Sequence, residues 1–294
     1  MAIVARRDFQ RRMARRKWLG RAFHALCLLA IAVALAMLAA LLVYVISKGW
    51  SRLDWDFLTS FPSRRPELAG IKGALLGSIY VVGIAGLVAF ALGLSAAIYL
   101  EEYAARNWFA RLVQINIANL AGVPSIVYGI LGLEIFVRSL DLGKSVLAGG
   151  LTMALLVLPI IIIAAEEALR AVPSSLRAGA FALGASRWQA IWHVVLPQAF
   201  PGILTGVILA VSRAMGEAAP LIVMGALTFV PFAPDSPLSR FTVLPIQIFN
   251  WTSRPQAGFQ EAAAAAIIVL LILLLLMNGV AVFLRNKFQR LPEG

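Results

Sequence analysis

Glu166-Glu167-Ala168-Leu169-Arg170, followed by Arg177-Ala178-Gly179-Ala180-Phe181-Ala182-Leu183-Gly184-Ala185-Ser186-Arg187-Trp188-Gln189 and then Val194-Val195-Leu196-Pro197, is a polar stretch between two long apolar runs. Arg170, Arg177, Arg187, Ser174, Ser175, Gln189 and His193 cannot sit in hydrocarbon, where each charge costs several kcal/mol. The stretch, about residues 166–198, is therefore an aqueous loop. It is too long for a mere connector, and long loops in compact proteins are functional or disordered. Its Ala and Leu content, with proline near both ends, predicts an ordered helical element.

The runs on either side set the class. Of 294 residues, 61% are hydrophobic and 14% charged, and the mean hydropathy is +0.87. That lies outside the soluble range and reads as an all-α integral membrane protein. The formal net charge of +12 raises nucleic acid as a partner, but no basic patch interleaved with aromatics supports it. Basic clusters beside apolar spans follow instead from the positive-inside rule. The single cysteine, Cys27, excludes an intrachain disulfide and a cysteine metal cluster.

Six spans follow in order. Residues 1–21 carry Arg6, Arg7, Arg11, Arg12, Arg15, Arg16, Lys17 and Arg21 against Asp8, a basic tail that stays in the cytoplasm. The run 22–46 is too long for a signal-peptide core and reads as a retained first span. Residues 47–70 belong outside, with Trp50, Trp55 and Phe57 as interfacial aromatics. Span two covers about 71–100, where Gly73 and Gly77 form a small-xxx-small pair that permits close approach of a helix. Glu101, Glu102, Arg106 and Arg111 mark an inner turn. Span three, about 112–137, is interrupted by Gly122, Pro124, Gly129 and Gly132 and must face protein or water. Span four covers about 146–165, span five 200–227 and span six 261–284, with 229–260 outside. Residues 285–294 form a cytoplasmic tail, so both termini lie on the cytoplasmic side.

Span five carries the chemistry. Ser212-Arg213-Ala214-Met215-Gly216-Glu217-Ala218-Ala219-Pro220 sets a cation and an anion four residues apart, on one face of a continuous helix. Arg213 lies twelve residues beyond Pro201, about 18 Å along a helix, near the bilayer midplane. A charge there faces the protein interior or a hydrated path. The pair is either a substrate-path element, since a guanidinium fork suits a phosphate-like oxyanion, or a clamp between helices. Glu134 and Arg138 read as an interfacial pair. Gly143-Lys144-Ser145 is not a phosphate loop, because Arg138 stands where its first glycine would fall. His24 and His193 are isolated from metal-spaced partners, no nucleophile stands with a base, and Asn250-Trp251-Thr252 is a sequon of the kind that arises by chance. The sequence predicts no catalytic and no metal-binding residue.

The polar loop resembles the EAA loop of ABC importer permeases: Gly179 and Ala180 stand in its two alanine positions, Gly184 in its glycine position, Val194 in its isoleucine position, and Leu196-Pro197 match. Ala178 replaces the glutamate. The 212–220 stretch, with Leu244-Pro245-Ile246-Gln247-Ile248-Phe249-Asn250-Trp251 and Arg254-Pro255-Gln256, resembles the PstA-type permeases of phosphate importers. The resemblance implies the six-span MetI-like permease fold and coupling to an ATPase through Gly179, Ala180, Gly184, Val194, Leu196 and Pro197. It also implies phosphate moved by alternating access across a bacterial inner membrane, for which Arg213 and Glu217 are the candidate path residues.

The same resemblance implies a PstC-like permease partner, two PstB-like ATPase subunits that hold the ATP and Mg this chain itself does not bind, and a PstS-like phosphate-binding protein outside. Alternatives that remain open are a permease for another oxyanion, a PstC-type subunit, an ion-coupled secondary transporter using Arg213 and Glu217 as a relay, and a membrane scaffold.

Overall fold

The computed structural model describes residues 2–104, 107–226 and 229–289. The inner-turn residue Arg106 and the last residues of span five and of the C-terminal tail lie outside the described residues. Helices account for nearly all of the order, with no strand among the described residues and one isolated antiparallel bridge, Ser145 to Arg240. Five helices are long and apolar enough to cross a membrane, and six if one sharply bent pair counts as a single span.

The first helix, α1 (Ala2–Gly49), fuses the expected tail and first span into one rod. Its apolar length is unburied by the rest of the chain, and it is held at its outer end, where Val45 packs on Ala264 and Ile268. The core is built from α3 (Lys72–Ile98), α6 (Val146–Arg170) and α9 (Leu196–Gly216). Buried Ala85, Ala89, Val157, Ile161, Ala210 and Ala214 form its centre. Contact between α3 and α6 rests on two glycines: a methyl on Gly93 would lie 2.8 Å from Ile161, and one on Gly150 2.6 Å from Ile84. Overpacking at such a seam costs about 1–3 kcal/mol. Gly73 and Gly77 do permit close approach, but of the outer segment rather than a helix. Gly73 lies under the carbonyls of Val230 and Phe232, and Gly77 under that of Thr242.

Span three is broken. Helix α4 (Trp108–Ala121) ends at Gly122, and α5 (Ser125–Gly132), prolonged by a π-helical turn to Ser139, leaves it at 101°. Pro124 precedes α5 and has no N–H to continue α4, and the Tyr128 hydroxyl donates to the Leu120 carbonyl (2.7 Å) across the break, pairing a group that would otherwise be left open. Pro159 and Pro201, by contrast, sit inside continuous helices.

At the end of the bundle away from the 166–198 loop, α2 (Trp55–Thr59) and α11 (Leu244–Thr252) close a second core on α12 (Ala257–Gln289). Trp251 packs between Phe57 (6.1 Å) and Phe259 (6.5 Å), so Phe57 is a core residue, whereas Trp50 and Trp55 are exposed as expected of interfacial aromatics. The Asn250-Trp251-Thr252 sequon lies within α11, its central Trp251 buried in this core. Ser145 caps α6 by accepting from the Ala148 N–H (3.2 Å), so the Gly143-Lys144-Ser145 fragment is a helix start. The Ser239 and Pro237 carbonyls take the N–H groups of Val146 and Leu147. In that outer turn Asp235 accepts from the Ser239 hydroxyl, which holds its carboxyl below the usual range.

Candidate coupling face and translocation site

At the inner side α6 runs past the expected end of span four to Arg170. The chain then forms α7 (Ser174–Ala182), a turn at Gly184 with φ +84, and α8 (Arg187–Ala190), which passes through a π-helical turn (Ile191–Val195) into α9. Gly184 is required there because an L side chain is strained at that φ. Ser186 and Gln189 form a reciprocal capping box that starts α8. The predicted coupling residues thus fall on one helix-turn-helix. Ala180 is buried, Gly184 makes the turn, Val194 and Leu196 are half-buried, and Gly179 and Pro197 are exposed. Ala178 sits exposed on α7, so the family's glutamate is absent from this surface, and Glu166 does not replace it, being buried and turned inward.

What fixes this element is a charge network. Arg170 bridges Glu101 and Glu166, each at 2.9 Å, and Glu166 also accepts from Gln114. Arg177 pairs with Glu102 (2.8 Å) and donates to the Leu169 and Val172 carbonyls, both 2.7 Å. Arg187 lies over the Tyr103 ring (5.3 Å). The acidic doublet at the end of span two therefore grips the start of the loop, a role the sequence reading missed although the doublet faced three arginines across one aqueous side. The outer face of the loop exposes Leu176, Phe181, Leu183, Trp188 and Trp192, the two tryptophans stacked at 5.6 Å. Exposed apolar side chains gathered on a polar segment are what a protein-binding surface presents.

The second site lies where span five breaks. Helix α9 ends at Gly216, Glu217 has extended geometry (φ −85, ψ 125), and α10 (Ala219–Met224) begins beyond it. The cause is Pro220, whose ring excludes a helical carbonyl four residues earlier. Glu217 is the cap that closes α9, four residues from Arg213 and on the same face as expected, with Arg213 Nε 3.6 Å from Glu217 Oε1. The pair is not buried: its side chains are 48% and 24% exposed. Gly129 of α5 packs directly on Pro220, so the breaks of spans three and five lie together, and Ser212 donates to Asn278 Oδ1 (2.8 Å) one residue below Arg213. An open arginine this deep is tolerated only against protein or water, which turns this face toward a partner or a path. Interrupted helices meeting at mid-membrane are where transporters hold their cargo. Among the described residues no group of His, Cys, Asp and Glu is arranged to hold a metal.

Residues 89–290 match the family described as "Binding-protein-dependent transport system inner membrane component", and the chain belongs to it. It is a multi-pass permease subunit of an ABC importer, a transport component that works with ATPase and substrate-binding partners; the scaffold and secondary-transporter readings fall. Among relatives, it is 36% identical to the Phosphate transport system permease protein PstA 1 of Mycobacterium tuberculosis (77% of this chain, 76% of that one). It is 33% identical to PstA of Haemophilus influenzae (77% and 79%) and 35% identical to the Probable ABC transporter permease protein YqgI of Bacillus subtilis (76% and 79%). A bacterial alginate ABC transporter chain shares the fold at TM-score 0.66 and 17% identity, over 91% of this chain and 93% of that one. A chain of the MetNI methionine ABC transporter does so at 0.59 and 16%, over 74% and 95%.

Proposed function

We propose that this chain is the PstA-type half of an importer of inorganic phosphate. Its other half is a PstC-like permease, its motor two PstB-like subunits with ATP and Mg, and its donor a PstS-like binding protein outside, with both termini of this chain in the cytoplasm. The observation that carries the reading is Arg213 held by Glu217 at the junction of two broken helices, on a face left open by this chain. A guanidinium presents a planar fork of donors that matches a tetrahedral oxyanion, and Glu217 holds it until an anion arrives. The relatives that carry phosphate in their names support this substrate over other oxyanions.

Transport follows from the geometry. ATP closure of the motor moves the 174–195 element, and Arg177 passes that motion on through its bonds to Glu102 and the Leu169 carbonyl, at the ends of α3 and α6 that the Glu101–Arg170 pair joins. The two packed core helices then shift the α9–α10 junction between inner and outer access. The test is ATP-driven uptake by the four-component complex in liposomes, with phosphate competing against sulfate and molybdate. Phosphate uptake unaffected by a large excess of either is expected; preferential uptake of sulfate or molybdate contradicts the substrate assignment.

A further inference from the structure

Below Arg213, the cytoplasmic half of α9 meets the end of α12 at a cavity of about 270 Å³ lined by Thr205, Ile208, Leu209, Asn278, Val282 and Arg285. The helices are antiparallel, and Ser212 bonded to Asn278 fixes their register, which brings Arg285 level with Thr205. Eight residues separate Thr205 from Arg213, about 12 Å along the helix. Both arginines border the same open seam of α9. Gly202, Leu209, Arg213 and Gly216 are exposed and Thr205 half-buried, at spacings of three and four residues.

The cavity's chemistry is that of an anion site. Arg285 lines the cavity and has no ion-pair partner among the described residues, so a guanidinium borders this space without a counter-charge, the arrangement that an oxyanion completes. Asn278 spends its carbonyl oxygen on Ser212, leaving its amide N–H groups free to donate. The Thr205 hydroxyl donates to the Pro201 carbonyl (2.8 Å), so it lines the space without competing. No carboxylate stands on the wall. The volume holds a tetrahedral oxyanion with part of its hydration, a water occupying about 30 Å³.

We propose that Arg285 and Asn278 form an inner phosphate station, which receives the anion released from Arg213 and passes it to the cytoplasm. A second weak station lets the anion move on from Arg213 once the inner side opens, instead of remaining bound there. The proposal rests on the phosphate-permease reading. Its ligand chemistry, a phosphate oxyanion, is shared by lipid headgroups at the inner membrane face; the open seam carrying Arg213 favours the free ion.

The test uses the assembled complex without nucleotide, in nanodiscs, carrying Cys27→Ser and Val282→Cys. A negatively charged thiosulfonate should label position 282, and inorganic phosphate at ten times its dissociation constant should slow labelling about tenfold by mass action. Chloride at equal ionic strength should not, and Arg285→Gln should abolish the protection while ATPase association is retained. Lack of labelling by the water-soluble reagent, protection by phosphatidylglycerol in place of free phosphate, or protection that survives Arg285→Gln each overturns the station. Phosphate-stimulated ATP hydrolysis by the same complex without phosphate protection defeats the inner station alone. Stimulation by another oxyanion and not by phosphate defeats the reading beneath it.

Discussion

Arg213 and Glu217 stand out in the sequence as charges in an apolar run; the helix break at Glu217 does not stand out from charge spacing. The signal was nonetheless present in Gly216 and Pro220, since a proline four residues after a glycine ends α9, whereas Pro159 and Pro201 leave their helices continuous. The exposure of the pair changes what mutation should do. Removing one member of a buried pair costs about 3–5 kcal/mol, but Arg213 is half exposed and Glu217 a quarter exposed. Arg213→Gln should therefore assemble and express near normally while phosphate uptake is lost, measured as uptake per assembled complex. The double variant Arg213→Gln with Glu217→Gln removes any stranded charge and still lacks the fork, so it too should fail to transport. Restored uptake in the double variant identifies the pair as a helix clamp.

The coupling element was legible as a helical aqueous loop and in the spacing of Gly184 from Leu196-Pro197. Its anchoring was not, because Glu101 and Glu102 are more than sixty residues from Arg170 and Arg177, and no local pattern links them. At Gly184, φ +84 strains any L residue by about 1–2 kcal/mol. Gly184→Ala and Gly184→Trp share that strain, and only tryptophan adds bulk on the docking face. The alanine variant should keep the ATPase subunit through purification and the tryptophan variant should lose it; equal retention contradicts docking at this turn. The Arg177–Glu102 pair, with side chains 20% and 11% exposed, contributes about 1.5–3 kcal/mol if it behaves as a hydrogen bond to a charged group. Glu102→Gln should leave ATP hydrolysis running while uptake per ATP falls several-fold. Unchanged uptake per ATP assigns the pair to stability alone.

For the whole molecule, composition gave the all-helical membrane class, which the family and shared fold support. It did not show that span three bends by 101°, that α1 stands apart from the core, or that residues 229–260 fold α11 into an outer cap. Those outcomes depend on packing between segments far apart in sequence, as between Trp251 and Phe57. The charge bias also predicts orientation: cysteines replacing Arg11 and Gln289 should react only from the cytoplasm and one replacing Ser236 only from outside. Labelling of position 289 from outside breaks the six-span topology.

We propose that this chain carries phosphate on behalf of an ATPase. The most direct test is ATP hydrolysis by the reconstituted complex on addition of its binding protein, with and without bound phosphate. Stimulation by the phosphate-loaded protein, absent when Arg213 is replaced by glutamine, is the predicted result. Hydrolysis indifferent to phosphate, or equally stimulated in the Arg213→Gln complex, contradicts it.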